Sequence, residues 1–348
     1  MMASILTLAI AHIPYLPVAK KYLLAQKYLS VQDFATLHGT ELIHEFSDLT
    51  MTKSRQQAWS KWHGKQALID AEKLLEQLHK RHIAIIDILD KTYPILLKEI
   101  YDPPFLLYYR GRLPSTTSPS LAIVGTRKPS LNAKEECAIF TREVAPYVSS
   151  IVSGLALGID GQAHRATLAT RQHTTAVLGG GFDHLYPSSH KNLAARIIDE
   201  GGLLLTEYAP SMAPKTYSFP ERNRIIAGLT HGTLIMEAPH RSGSLITGQL
   251  ALDYGRDLFV HAVSITNTES GTSQLYEDGA IALKRGEDLL SLWGITPKKT
   301  QQTSTVVISE SHKNSHKPRF NSKIYNLGNH IAEDLWKEIS DEDFNKLL

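Results

Sequence analysis

Apolar and polar positions along this chain follow two different periods. Up to about residue 85 the apolar residues recur at a spacing of three to four, as in Leu6, Ile10 and Ile13 and again in Leu68, Ala71, Leu75 and Leu78. That period puts them on one face of successive helices, and no strand-like alternation interrupts it. From Leu121 onward the texture changes: short apolar runs end in turns, several of them in glycine, and are followed by helical stretches. Strands are predicted at 121–124, 151–153, 174–178, 203–205, 233–236 and 258–260, and helices at 132–147, 159–172, 189–200, 222–229 and 243–255. Strands alternating with helices of this length predict βαβ units and a parallel sheet covered on both faces. Between the two regions, Tyr93-Pro94, Asp102-Pro103-Pro104, Arg110-Gly111 and a Ser/Thr/Pro loop from Pro114 to Ser120 mark a connecting segment. Beyond Trp293-Gly294 the chain turns polar from Pro297 to Ser322, and a last amphipathic stretch carries Leu327, Ile331, Leu335 and Ile339 at helical spacing. The expected organisation is a helical N-terminal module over 1–85, an extended Rossmann-like α/β domain over 86–297, a linker over 298–322 and a short C-terminal helical segment over 323–348. No internal repeat is evident.

Composition narrows the choice of partners. The apolar fraction of 42% in 348 residues is enough for a sizeable core without staples. The single cysteine, Cys137, rules out an internal disulfide framework and lies in a stretch that reads as helix, where a small buried hydrophobe is expected. The apolar start, Met1 to Val18, lacks a basic leader and is broken by His12, Pro14 and Pro17, so it does not read as a signal peptide. No apolar run is long enough to cross a bilayer, and a cytoplasmic protein with no membrane partner is expected. The formal net charge is only +2, so any nucleic-acid site must be a local concentration of Lys and Arg.

The candidate chemistry lies where glycine turns follow strands, because in doubly wound sheets ligands bind at the carboxyl ends of strands, where helix N-termini offer main-chain N–H groups to anions. Gly125-Thr126-Arg127-Lys128 follows the first strand and offers main-chain donors, a hydroxyl and two cations. Ser153-Gly154 opens a second turn that runs through Gly158 to Asp160 and His164, without the GxGxxG spacing of a dinucleotide site. Asp160 and His164 stand four apart as a possible catalytic pair, but a helix start with a packed histidine is the expected reading. Lys215, Phe219, Arg222, Asn223 and Arg224 mix cations with aromatic rings, a combination suited to phosphates and unstacked bases. Ser242-Gly243-Ser244 follows another strand and opens a helix as a candidate phosphate nest. No G-x-S-x-G elbow and no Walker A sequence occurs. His79 and His82, and His312 and His316, have ligand-like spacing but read as helix surface and linker, so no metal site and no cofactor are expected.

An ordered set of segments carries a more specific signal. Ala122-Ile123-Val124-Gly125-Thr126-Arg127, Ser153 to Asp160, Ala176-Val177-Leu178-Gly179, Tyr186-Pro187, Phe219 to Ile226 and Ser242 to Thr247 together resemble the DNA-processing protein A family, also called Smf. The lead-in from Tyr93-Pro94 to Tyr109-Arg110-Gly111 is similar as well, so the resemblance spans roughly residues 90 to 295. It implies a bacterial cytoplasmic protein, usually a homodimer, that binds single-stranded DNA. It also implies help in loading RecA recombinase onto strands coated with single-strand-binding protein during natural transformation, without catalysis. Carried across, Arg127, Lys215, Phe219, Arg222 and Arg224 would line the DNA pocket. The Ser153-Gly154 and Ser242-Gly243-Ser244 turns would add hydroxyl and main-chain contacts. The chain departs from the family pattern at Val263 to Ser273, in the short segment after the linker where many members carry a winged helix, and in an N-terminus without an obvious helix-hairpin-helix glycine signature. The rival reading is a Rossmann-like nucleotide or phosphoribosyl hydrolase, whose PGGxGTxxE pattern is matched here only by Gly179-Gly180-Gly181, without its Thr and Glu.

Overall fold

The computed structural model describes residues 2–265 and 270–297. The expected linker and C-terminal helical segment lie outside the described residues. Six helices come first: α1 (Met2–Ala11), α2 (Val18–Lys27), α3 (Val31–Ala35), α4 (Gly39–Glu45), α5 (Lys53–Ser60) and α6 (Gly64–Lys80). They close around Leu8, Ile10, Leu24, Phe34, Leu42 and Trp59, all fully buried. In α6 the residues with the predicted helical spacing, Leu68, Ala71, Leu75 and Leu78, are the ones that face inward.

A repeat absent from the sequence reading emerges in this module. Two units, α3–turn–α4 and α5–turn–α6, each place a His-Gly pair at the start of the second helix, His38-Gly39 and His63-Gly64. The units grip each other reciprocally: Gly39 N–H donates to Trp62 O at 3.0 Å and Gly64 N–H donates to Leu37 O at 2.8 Å. The two histidine rings meet edge to face, their Nδ1 atoms 2.9 Å apart. A Cβ at Gly39 would run into the carbonyl oxygen of Trp59, and one at Gly64 into that of Phe34. Both contacts lie five residues before the partner's glycine. The match is one of backbone contact more than of side-chain identity, which is why it does not register as a sequence repeat.

The sheet follows. β1 (Ala84–Asp87) leads through the short α7 (Ile95–Lys98) to β2 (Leu106–Gly111). The core alternation is β3 (Leu121–Val124), α8 (Leu131–Val144), β4 (Ile151–Ser153), α9 (Ile159–Ala169), β5 (Thr174–Val177), α10 (Lys191–Asp199), β6 (Leu203–Thr206), α11 (Ser218–Gly228), β7 (Gly232–Ile235), α12 (Gly243–Asp253) and β8 (Asp257–His261). Then come α13 (Gly271–Glu277), β9 (Ile281–Leu283) and α14 (Gly286–Leu292). The nine strands lie in the order β1-β2-β6-β5-β4-β3-β7-β8-β9. Neighbours from β6 through to β9 pair parallel, while β1 and β2 pair antiparallel at one edge. The Rossmann-like parallel-sheet architecture expected from the apolar runs is therefore present. Alternate residues of β3 feed opposite cores: Ala122 and Val124 join the core shared with the N-terminal helices, Leu121 and Ile123 the core under α8 and α9. Both faces are covered, which is why the strands read as unbroken apolar runs.

Three strands escape the sequence reading. β1 and β2 lack the strand–helix alternation because they form an antiparallel ribbon, and the boundary expected at residue 85 falls inside β1. β9 is a three-residue edge strand with Ile281 exposed. The ribbon is the shelf on which the helical module sits: Thr7 Oγ1 donates to Asp87 Oδ2 at 2.9 Å, and Tyr108 Oη lies 3.2 Å from His12 Nε2. Among the described residues no helix is long and apolar enough to cross a membrane.

The reciprocal glycine contacts make a specific prediction. Gly39→Ala and Gly64→Ala should each destabilise the chain by roughly 1–3 kcal/mol, because the new methyl meets backbone that has no rotamer with which to yield. Gly243→Ala, where an added Cβ meets nothing within 4 Å, should be neutral or slightly stabilising at its helical position. Urea denaturation of the three variants beside the wild type measures this; equal midpoints for all would remove the hairpin junction as a packing constraint.

Candidate nucleic-acid interface

Along the sheet β3 and β7 are neighbours, and the chain leaves them in opposite directions, so the topological switch point falls at their carboxyl ends. The turns after β3, β4 and β5 face the same edge. The first two turns of α11 lie across the ends of β4 and β5, and two glycines make that approach possible. A Cβ at Gly154 would stand 2.6 Å from the guanidinium of Arg222, and one at Gly179 2.8 Å from the ring of Phe219. Arg222 and Phe219 are three apart, on one face of the helix. These glycines serve the close packing of α11 on the strand ends.

Arg222 is 5% exposed, and its guanidinium bonds to main-chain carbonyls: Nη1 donates to Gly154 O at 2.6 Å and also to Val177 O. The buried Asp160 holds the other side of the same turn, accepting from Gly154 N–H at 3.0 Å and Ala156 N–H at 3.4 Å. Burial lowers the Arg222 pKa to about 10 while the Asp160 charge opposes that loss; burial likewise raises the Asp160 pKa against the pull of Arg222. His164 turns elsewhere. Thr174 Oγ1 spends its proton on Ile151 O, so it accepts from His164 Nδ1 at 2.7 Å, and the ring's Nε2 is buried without a partner. Burial pulls the His164 pKa down to about 3. Asp160 and His164 therefore engage different partners, one organising a turn and one filling the core.

The resulting shallow cleft is lined by Arg127, Gly154, Leu157, Tyr186, Phe219 and Arg222, with Ala156 and Pro187 completing the wall. The Arg127 guanidinium lies over the Phe219 ring at 5.8 Å, and Tyr186 meets the same ring with centroids 5.4 Å apart. Four of the residues expected from sequence, Arg127, Gly154, Phe219 and Arg222, thus come together. Arg222 lines the floor through a group already bonded to carbonyls, which corrects its expected role as a cation presented to phosphate.

Arg224 requires a larger correction. It is 14% exposed, with Nε 3.1 Å from Asp102 Oδ2 and Nη2 bonded to Glu207, on the side of α11 away from the cleft. Residues two apart on a helix point in nearly opposite directions, and both arginines lie inside α11, as they do in the predicted helix over 222–229. Ser153 is also turned away, its buried hydroxyl donating to Ile123 O at 2.7 Å. Gly125 and Thr126 sit beneath the start of α9, with Thr126 N–H donating to Glu237 O at 2.8 Å. Lys128 is exposed beyond them. Lys215 is exposed with Nζ 5.6 Å over the Tyr217 ring. Asn223 donates to Gly243 O at 3.2 Å, joining α11 to the start of α12. There Ser242 and Ser244 share a hydroxyl bond of 2.8 Å, and Ser242 caps the helix. Tyr186 and Leu157 line the cleft without having been expected there; both are large apolar residues left exposed, a property that no sequence pattern displays. Cys137 is buried, its thiol pushed up to about 12, and no group of three or more metal-ligating side chains converges among the described residues.

Residues 84–294, more than half of the chain, match the sequence model of the family described as DNA recombination-mediator protein A. The chain belongs to that family. Among its curated relatives, DNA processing protein DprA of Streptococcus pneumoniae (strain ATCC BAA-255 / R6) is 42% identical over 205 residues, covering 59% of this chain and 72% of the relative. The Bacillus subtilis (strain 168) protein of the same name is 37% identical over 219 residues, covering 62% and 73%. The X-ray structure of the Streptococcus pneumoniae protein superposes with a TM-score of 0.58 at 34% identity, covering 79% of this chain and 98% of that one. The Helicobacter pylori DNA processing protein A, whose structure concerns its single-stranded DNA binding mode, superposes with a TM-score of 0.54 at 29% identity, covering 61% and 95%. Membership in this family is membership among recombination mediators.

The buried charges can be tested as a unit. Arg222→Met should destabilise the chain by about 3 kcal/mol or more, since it leaves the Asp160 carboxylate in the interior without its opposing charge. Adding Asp160→Asn should recover part of the loss, a coupling that a double-mutant cycle by urea denaturation reads directly. Additive losses would mean that the two charges do not act together.

Proposed function

We propose that this chain binds single-stranded DNA in the cleft over β4 and β5 and acts as a homodimeric, cytoplasmic recombination mediator without catalytic activity. The observation that carries the reading is the Arg127–Phe219–Tyr186 arrangement: a cation and two rings packed together in a cleft open to solvent. Phosphates of a flexible strand pair with the cation while unstacked bases lie on the rings, which paired bases in a duplex cannot do. The relation to the Helicobacter pylori protein and its single-stranded DNA binding mode supports the same ligand. Of the cations expected in the site, Arg127 lines the cleft beside the Phe219 ring and Lys128 and Lys215 are exposed, and these three are the ones this reading assigns to phosphate. The partners it assigns are RecA recombinase and single-strand-binding protein, with loading of RecA onto coated strands in natural transformation as the cellular task. The carboxylate and imidazole that would serve a hydrolase, Asp160 and His164, are buried in separate structural bonds, which favours binding over turnover.

With about three phosphates neutralised, log affinity for oligothymidylate should fall against log salt with a slope near −2, and Arg127→Ala should flatten it by roughly 0.7. Tyr186→Ala and Phe219→Ala should each weaken binding by about 1–3 kcal/mol at fixed salt. Fluorescence titration across salt, with a duplex of the same length beside the single strand, measures all of these. An unchanged slope in the arginine variant, or equal affinity for duplex, would contradict the assignment. Strand exchange by RecA on coated strands should be stimulated by the chain, and sedimentation should find a dimer; no stimulation, or a monomer at working concentration, removes the corresponding partner.

A further inference from the structure

The helical module holds a cavity of its own. On α6 the larger core residues Leu68, Leu75 and Leu78 fill the module's interior. Ala67 and Ala71, four apart, lie with Ala9 of α1 along a space that their methyl groups leave open. That space measures about 320 Å³ and falls in the range of small-molecule pockets, roughly 300–1,000 Å³. Its walls are partly polar and already organised. Trp62, in the turn before α6, is held by its carbonyl, which accepts from Gly39 N–H at 3.0 Å, and by its ring, which meets the buried Phe34 edge to face at 5.8 Å. His12, just after α1, has both ring nitrogens engaged. The Leu8 carbonyl can only accept, so Nδ1 donates to it at 2.8 Å. Burial lowers the His12 pKa and keeps the ring neutral, which leaves Nε2 to accept from Tyr108 Oη at 3.2 Å.

The unspent groups are on α6. The carboxylate of Asp70 can only accept, so Gln66 donates to its Oδ1 through Nε2 at 3.0 Å. That bond decides which atoms remain: Asp70 Oδ2 and Gln66 Oε1, two acceptors one helical turn apart that take no donor among the described residues. A ring wall, a pair of fixed acceptors and the exposed Lys61 therefore surround one cavity. We propose that this cavity is a nucleobase pocket selective for guanine. Trp62 offers a face to a planar base, as aromatic side chains do to unpaired bases. Guanine carries a ring N–H and an amino group side by side on its pairing edge, and the Asp70 and Gln66 oxygens accept from both. Adenine sets a ring acceptor beside its amino group, so one oxygen would face a lone pair and lose its partner. Lys61 supplies a cation for the phosphate. Because the pairing edge is read, a guanine inside a duplex is refused. The pocket stands apart from the cleft over β4 and β5 and does not depend on it.

The same base occurs in a free nucleotide and in a single strand, and two arms separate these sources. In calorimetric titration the full chain should bind GMP about tenfold or more tightly than AMP, the scale of one hydrogen bond to a charged group. Asp70→Asn, at an exposed position, should lose that preference. Ala67→Leu, which fills the cavity, should abolish GMP binding without lowering the melting temperature. In the second arm an oligothymidylate with one central guanine should bind severalfold more tightly than the all-thymidine strand, and Asp70→Asn should remove only that difference. Guanine preference in the first arm alone makes the ligand a free nucleotide; in the second alone, a strand. No preference in either arm, or one that survives both substitutions, overturns the proposal. Asp70→Asn decides alone if Ala67→Leu does not fold. Failure of every strand to bind removes the cleft as a strand site, while GMP still reports on this pocket.

Discussion

One buried guanidinium holds the site in shape. A cation brought out of water must be surrounded by acceptors and an opposing charge or it will not remain there. Arg222 meets that demand with the carbonyls of Gly154 and Val177 and the field of Asp160, groups supplied by the ends of β4 and β5 and the start of α9. Because those acceptors belong to different strands, satisfying the one side chain fixes the first turns of α11 across the sheet's edge. Phe219 is then set on Gly179, and Arg127 and Tyr186 have a ring to pack against. The cleft is a consequence of where that charge is buried.

The same helix shows how the cations expected in the site divide between structure and surface. Arg222 secures the strand ends, while Arg224, on the opposite side, ties α11 to Asp102 in the connecting segment and to Glu207 after β6. Asn223 between them reaches the start of α12. Three successive residues therefore anchor three sides of one helix. Of the cations expected in the site, the exposed ones, Lys128 and Lys215, come from turns rather than helix interiors. Turns suit this task because their side chains are not claimed by neighbouring layers.

The parallel sheet was legible because its strands are buried on both faces and so appear as apolar runs such as Leu121–Val124, each followed by a helix. The antiparallel ribbon was not, since Leu106–Gly111 precedes no helix and pairs across a connection that only the fold reveals. The site was half legible. Glycine after a strand does mark the edge where the cleft lies, but the sequence does not tell whether the space is kept for a ligand or for a side chain. At Gly154 and Gly179 side chains occupy it. Arg222 and Arg224 were grouped as near neighbours in sequence, although the helical period sets residues two apart on opposite sides, and Tyr186, exposed above the cleft, was part of a family-like segment without being assigned to the site. The reciprocal hairpins around Gly39 and Gly64 were hidden for a related reason: what repeats there is a backbone contact.

The central claim is that a single strand lies against the aromatic wall of this cleft. Photocrosslinking an oligothymidylate that carries 5-iodouracil, followed by peptide mapping, tests it most directly. The account predicts adducts on Tyr186 or Phe219. Adducts confined to the N-terminal helices or to the α12 side of the sheet, with none on the segments holding those two residues, would contradict it.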